Sequence, residues 1–185
     1  SSSDRSGAVR KAQPPATFPG GKGANKAVAA ARLGAQTSLI GRIGRDNFGA
    51  DLRTFLSAQG IDLRYVRESE TAPTGTALIL VAEKDNAIVV VPAANAELTA
   101  QDAESADFGA GDVLVSQFEI PAPTIMAFFA RGRAVGARTI FNPAPALKLD
   151  RALLALADLV ILNETELAVF TQQHVDTNTT LAGIA

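Results

Sequence analysis

Cysteine is absent from the 185 residues, which excludes disulfides, thiolate nucleophiles and Cys-ligated metals. Histidine occurs once, at His174. No Ser or Asp pattern flanks it, so a surface residue is expected rather than a catalytic base. Neither sign of charge dominates: 17 basic residues face 19 acidic ones, for a net charge of −2. A nucleic-acid or anionic-membrane surface needs a basic excess on one face, and none is available here. A small anion is not excluded, because a few backbone amides and one lysine can hold it. No apolar run approaches the ~18 residues of a membrane span. The first fifteen residues, Ser1 to Pro15, are polar and hold no apolar core, so they do not read as a secretory signal. They are expected to form a flexible lead-in. No methionine opens the chain, which suggests that an upstream part was removed. The cytoplasm is the default compartment.

What is present is ordinary for one globular core: 47% hydrophobic and 19% charged residues in a length that suits one domain. Residues 16–185 are read as that domain. From Gly20 the pattern becomes regular. A glycine turn leads into an Ala-rich helix, Ala24 to Leu33, stopped by Gly34. Thr37 to Ile43 suits a strand. Asp46 can cap a helix over Asn47 to Gln59, with Phe48, Leu52, Phe55 and Leu56 on one face. Ile61 to Val66 follows as a strand. Thr76 to Ala82 and Ala87 to Val91, joined by Glu83-Lys84-Asp85-Asn86, suit a β-hairpin over about 76–91. After Pro92, helical pieces (Thr99 to Ser105, Thr124 to Val135, Asp150 to Leu156) alternate with apolar strands (Val113 to Phe118, Arg138 to Phe141, Leu159 to Leu162). Such alternation implies a parallel sheet covered by helices, with the hairpin as a small β extension.

Three places could carry chemistry. Gly20-Gly21-Lys22-Gly23-Ala24-Asn25 opens a helix, where glycines admit a ligand close to the backbone and unpaired N–H groups face it. Lys22 donates, and Asn25 both donates and accepts, which suits vicinal hydroxyls. Neither GxxxxGK[ST] nor GxGxxG is present. On its own the run also fits a tight turn with a solvated lysine. Glu119 sits at a strand end, where it could equally be a lone surface charge. Asn163 and Glu166, three apart at a helix start, fit a capping box as well as a ligand site.

The stretch GGKGANKAVAAARLGA resembles the N-terminal signature of the ribokinase-like (PfkB) family of carbohydrate kinases. SQFEIP (Ser116 to Pro121), NPAP (Asn142 to Pro145) and LNETE (Leu162 to Glu166) resemble later family segments in the same order. The resemblance spans Phe18 to Phe170. It implies a three-layer α/β/α fold with a small β-lid. It implies sugar contacts from Gly21, Lys22, Asn25 and Glu119, a nucleotide-phosphate contact from Asn163, and a place for Glu166 in a Mg²⁺–water network. The substrates it implies are ATP and a sugar, with ribose favoured. Fructokinase, nucleoside kinase and ketodeoxygluconate kinase activities are the rivals within the family. It further implies a homodimer paired through the lid strands, which fits the hazard an exposed apolar hairpin poses alone.

Two family parts have no counterpart in these residues. Ser1 to Pro15 does not resemble the first strand, whose Asn and Asp would hold the sugar. The DTxGAGD motif that carries the catalytic base is also missing, along with the region expected to bind an activating monovalent cation. Gly109-Ala110-Gly111-Asp112 spells GAGD, yet it lacks the preceding Asp-Thr, precedes a strand and lies before Glu119. Asp112 is therefore read as a turn residue, and no catalytic residue is assigned. The 185 residues alone are expected to be inactive as a kinase. A non-catalytic sugar-binding or dimerisation module is the reading from a different class.

Overall fold

The structure is a computed structural model that describes residues 16–81, 86–147 and 150–171. The lead-in 1–15, most of the hairpin turn and His174 lie outside the described residues.

The first unit is a helix followed by a β–α–β crossover. Helix α1 (Lys22–Arg32) leads to strand β1 (Ser38–Gly44), helix α2 (Asn47–Ala58) and strand β2 (Asp62–Ser69). β1 and β2 pair in parallel, with a register shift between Ser38 and Ile40. Ala24 and Ala27 from α1 meet Leu56 and Ile61, and Leu52, Phe55 and Leu39 close around them. The small alanines leave room for Leu56, 2% exposed, to pack between α1 and α2. Phe48 was expected on this buried face but is exposed. It lies in the first turn of α2, outside the cluster that Leu52, Phe55 and Leu56 join. Asp46 caps α2 by accepting from Gly49 N–H at 2.8 Å. The same carboxylate accepts from the Thr74 hydroxyl at 2.6 Å and the Thr74 N–H at 2.7 Å. Those two bonds, and then the Gly49 N–H, hold its pKa below the usual carboxylate value.

Strands β3 (Thr76–Val81) and β4 (Asn86–Val91) pair antiparallel as the expected hairpin. A 3₁₀ turn, Ala93–Glu97, and a short helix α3 (Ala100–Glu104) follow. The 3₁₀ turn was not expected, since Pro92 and a run of alanines carry no 3.6-residue periodicity. Thr99 and Asp102 close a capping box on α3. Asp102, 2% exposed, also receives Arg42 from β1 at 3.0 Å and Arg67 from β2 at 3.2 Å. Arg42 and Arg67 are register partners, so one carboxylate clamps both strands to α3. Burial alone would raise the Asp102 pKa. The Thr99 N–H and hydroxyl and the two guanidinium groups outweigh it and hold the group below its ordinary value.

The second unit is β5 (Val113–Gln117), α4 (Ala122–Ala134), β6 (Arg138–Asn142), α5 (Arg151–Leu154), β7 (Leu159–Val160) and α6 (Glu164–Thr171). Its strands form a parallel sheet in the order β5-β6-β7. Leu114, Ile125, Phe129, Phe141 and Leu153 make its core under α4. Phe141 takes Phe118 and Phe129 edge-on at 5.0 and 6.0 Å between ring centres. The opposite face bears Val113, Val115, Leu159 and Ile161, all exposed. Asp112 closes the turn before β5, accepting from Gly109 N–H at 2.7 Å, as a turn residue should.

Candidate functional site

The site lies beyond the carboxyl ends of β5, β6 and β7, where side chains of successive strand ends converge. β5 runs into Glu119, β6 ends at Asn142, and β7 leads to Asn163. The N-terminus of α1, from the first unit, faces them.

Gly21 is the residue before α1 and adopts φ +99°, a left-handed conformation that glycine accepts without strain. No side chain from its own neighbourhood caps α1. Glu119 does so instead, from 97 residues away. Its Oε2 accepts the Lys22 N–H at 2.7 Å, and its Oε1 lies 3.8 Å from the Lys22 ammonium. A carboxylate at a helix N-terminus satisfies an orphan donor and opposes the helix dipole. A Cβ built on Gly21 would lie 3.8 Å from Glu119 Oε2. That is an ordinary contact distance, so the positive φ, rather than crowding by the carboxylate, is what favours glycine here. Glu119 itself is held because the Phe118 N–H donates to the Ala144 carbonyl at 3.0 Å, tying the end of β5 to the Asn142–Pro145 segment. Asn25, one turn into α1, is exposed on the cleft.

A cleft of about 530 Å³ runs from Lys22 and Asn25 past Lys26 and Asn142 to Asn163 and Glu166. Both ends of the expected site thus border one space. Asn163 and Glu166 bond reciprocally. The Glu166 N–H donates to Asn163 Oδ1 at 2.7 Å, and the Asn163 N–H donates to Glu166 Oε2 at 3.1 Å. Asn163 Nδ2 donates to Glu166 Oε1 at 3.2 Å. This is the geometry of a capping box, and it orients the carboxylate at the cleft.

Glu166 is the one carboxylate on this wall, and among the described residues no three His, Cys, Asp or Glu side chains gather to hold a metal. A dedicated all-protein cage is therefore not built here. One carboxylate fits Mg²⁺ that arrives with nucleotide phosphates and keeps several of its waters.

Three residues were not singled out from sequence. Lys26 Nζ donates to Asn142 Oδ1 at 3.0 Å. Burial, and then the neighbouring Lys22, lower the Lys26 pKa against the opposing pull of Glu119 and Glu166. Gln117 is buried under the glycine turn, its Nε2 3.2 Å from where a Cβ on Gly23 would stand. Its Oε1 has no hydrogen-bond partner among the described residues. Lys26, Asn142 and Gln117 all lie inside quoted segments. The signal that could have found them is their polar chemistry within those segments.

The description "pfkB family carbohydrate kinase" matches residues 2–184. The chain is 41% identical over 153 residues to the ribokinase of Staphylococcus aureus (strain COL), covering 80% of this chain and 50% of that protein. It is 35% identical over 162 residues to the deoxyribokinase of Salmonella typhi, covering 85% and 53%. The structure of Arabidopsis thaliana ribokinase complexed with ribose and ATP matches with a TM-score of 0.75 and 27% identity, over 85% of this chain and 53% of that one. The chain spans about half the length of the curated relatives it matches.

Proposed function

We propose that this chain, which belongs to the pfkB family of carbohydrate kinases, carries the sugar-holding cleft of an ATP-dependent kinase that converts ribose to ribose 5-phosphate. The observation that carries the reading is the closure of the α1 N-terminus by Glu119, with Lys22 alongside, across one cleft from Asn163 and Glu166. The S. aureus relative favours ribose as the sugar. The S. typhi relative favours 2-deoxyribose as the second reading.

In the proposed reaction the γ-phosphoryl group of ATP passes to a primary sugar hydroxyl, leaving ADP and releasing the hydroxyl proton. Lys22 donates to sugar hydroxyls, Glu119 accepts from them, and Gly21 lets the ring approach the backbone. Asn25 supplies both a donor and an acceptor. Asn163 donates to phosphate oxygens. Glu166 would hold the waters of a nucleotide-borne Mg²⁺, which when bound would supply charge to stabilise the transferring group. No residue of this chain is assigned as the base. The cytoplasm, which supplies ATP, is the compartment proposed. The exposed apolar strands β3 and β4 support a homodimer paired through the hairpin.

The test is ADP release by the full-length protein with ribose, 2-deoxyribose, fructose and adenosine. Ribose should give the highest kcat/KM, and a higher value for another acceptor would replace ribose in the proposal. Lys22→Ala and Glu119→Ala should each raise the ribose KM about tenfold or more, the scale of one lost charged hydrogen bond. An unchanged ribose KM in both variants would remove these residues from the sugar site.

A further inference from the structure

Lys26 lies one helical turn beyond Lys22 and brings a second ammonium into the cleft. An ammonium can only donate, so its 3.0 Å bond to Asn142 decides which way that carboxamide faces. Oδ1 must turn toward Lys26 and Nδ2 away from it. On the far side Nδ2 meets two groups that can only accept. The Ile161 carbonyl lies at 3.0 Å, and Glu166 Oε2 lies at 3.5 Å, the outer limit of a hydrogen bond. Glu166 accepts in turn from Asn163. Donors and acceptors therefore run in one direction, from the Lys26 cation through Asn142 to the Glu166 carboxylate.

We propose that Lys26 is a positioning residue: it fixes the Asn142 carboxamide and, through it, holds Glu166 toward the nucleotide side of the cleft. This rests on the kinase reading for what Glu166 serves. The helix that carries the sugar-binding turn is thereby coupled to the helix that carries Asn163 and Glu166. Reversing the Asn142 amide would set its Oδ1 against the Glu166 carboxylate and its Nδ2 against the Lys26 ammonium. Both contacts would be repulsive, so the arrangement has one stable sense.

The experiment measures ribose and Mg·ADP affinities separately by calorimetry on the full-length protein. Lys26→Met should weaken Mg·ADP about tenfold, the scale of one charge-assisted hydrogen bond, and leave the ribose Kd within about twofold. Lys26→Gln keeps an N–H donor without the charge and should retain most of the Mg·ADP affinity. In an Asn142→Leu background, Lys26→Met should add no further loss, because the path it acts through is already gone. An equal loss of ribose affinity, a Lys26→Gln variant as weak as Lys26→Met, or additive losses in the double variant would each overturn the proposal. The Asn142 side-chain NH₂ resonances give an answer independent of turnover. They should hold their shifts in Lys26→Gln and move in Lys26→Met, and unmoved resonances in Lys26→Met would overturn the proposal. A wild-type protein that phosphorylates no sugar would sink the kinase reading alone.

Discussion

Two strand pairs in this molecule meet opposite fates, and the more apolar pair is the more exposed. β1 and β2 bury Ile43 and Val66, whereas β3 and β4 leave Leu78, Ile79, Leu80, Ile88, Val89 and Val90 more than half exposed. The difference lies in the connections. A parallel pair needs a crossover, and the crossover here is α2, which brings Leu52, Phe55 and Leu56 as cover. An antiparallel pair needs only a turn, and a turn brings no cover. In these two pairs the exposed one has the more apolar sequence, so the connection, not the composition, supplies the cover.

The contrast breaks most sharply at Asp102. Replacing it with Asn leaves Arg42 and Arg67 facing a neutral group at a 2% exposed position. A loss of about 2–4 kcal/mol is expected in chemical denaturation, the scale of two charge-assisted hydrogen bonds, because Arg42 keeps Glu97 and Arg67 is half exposed. A loss below about 1 kcal/mol would show that the clamp is not what joins β1 and β2 to α3. Leu56→Ala is of the same scale, with about 2–5 kcal/mol expected from lost burial and the cavity left behind. Equal effects from Leu56→Ala and Leu80→Ala would erase the distinction between the two pairs.

Acid sharpens the comparison further. Asp46 and Asp102 both have pKa values lowered by folding, so their stabilisation is complete above the unfolded value of about 3.9. It is lost as pH falls through the lower folded values. Wild type should therefore lose stability steeply below about pH 4, and Asp102→Asn should lose it less steeply. Parallel pH profiles for the two would remove Asp102 from the acid response. The smallest effect on the fold belongs to the hairpin. Val89→Thr and Leu80→Thr should change the stability of the monomer by less than about 0.5 kcal/mol. If the proposed pairing holds, the same changes should shift sedimentation of the full-length protein toward monomer. Unaltered sedimentation would count against pairing through these strands.

Local structure was legible where a single segment determines it. The helix after the glycine turn, the Asp46 cap, the hairpin and the alternation of β5 to α6 all follow from periodicity, capping residues and turn residues close in sequence. So did the family, from four short segments in order. Of the expected site residues, Lys22, Asn25, Asn163 and Glu166 line one cleft, while Gly21 and Glu119 sit behind Lys22 at its edge; what each binds is proposed above. The pairing of β1 with β2, the convergence of Arg42 and Arg67 on Asp102, and the Lys26–Asn142 bond were not legible. Each joins residues whose nearness is made by the fold, and no local pattern records it. Phe48 shows the reverse error: helical spacing assigned it a buried face, but the cluster on that face begins at Leu52.

The Lys22–Glu119 and Lys26–Asn142 bonds close loops of 97 and 116 residues. Chain entropy opposes such closures until the elements on either side have formed and can deliver the partners together. The two cores, each held by contacts nearer in sequence, are thus expected to form before the cleft between them. Weakening either cleft bond should then hasten unfolding while leaving the refolding rate nearly unchanged. The cleft is therefore expected to be the last part of the molecule to be made and the first to be lost.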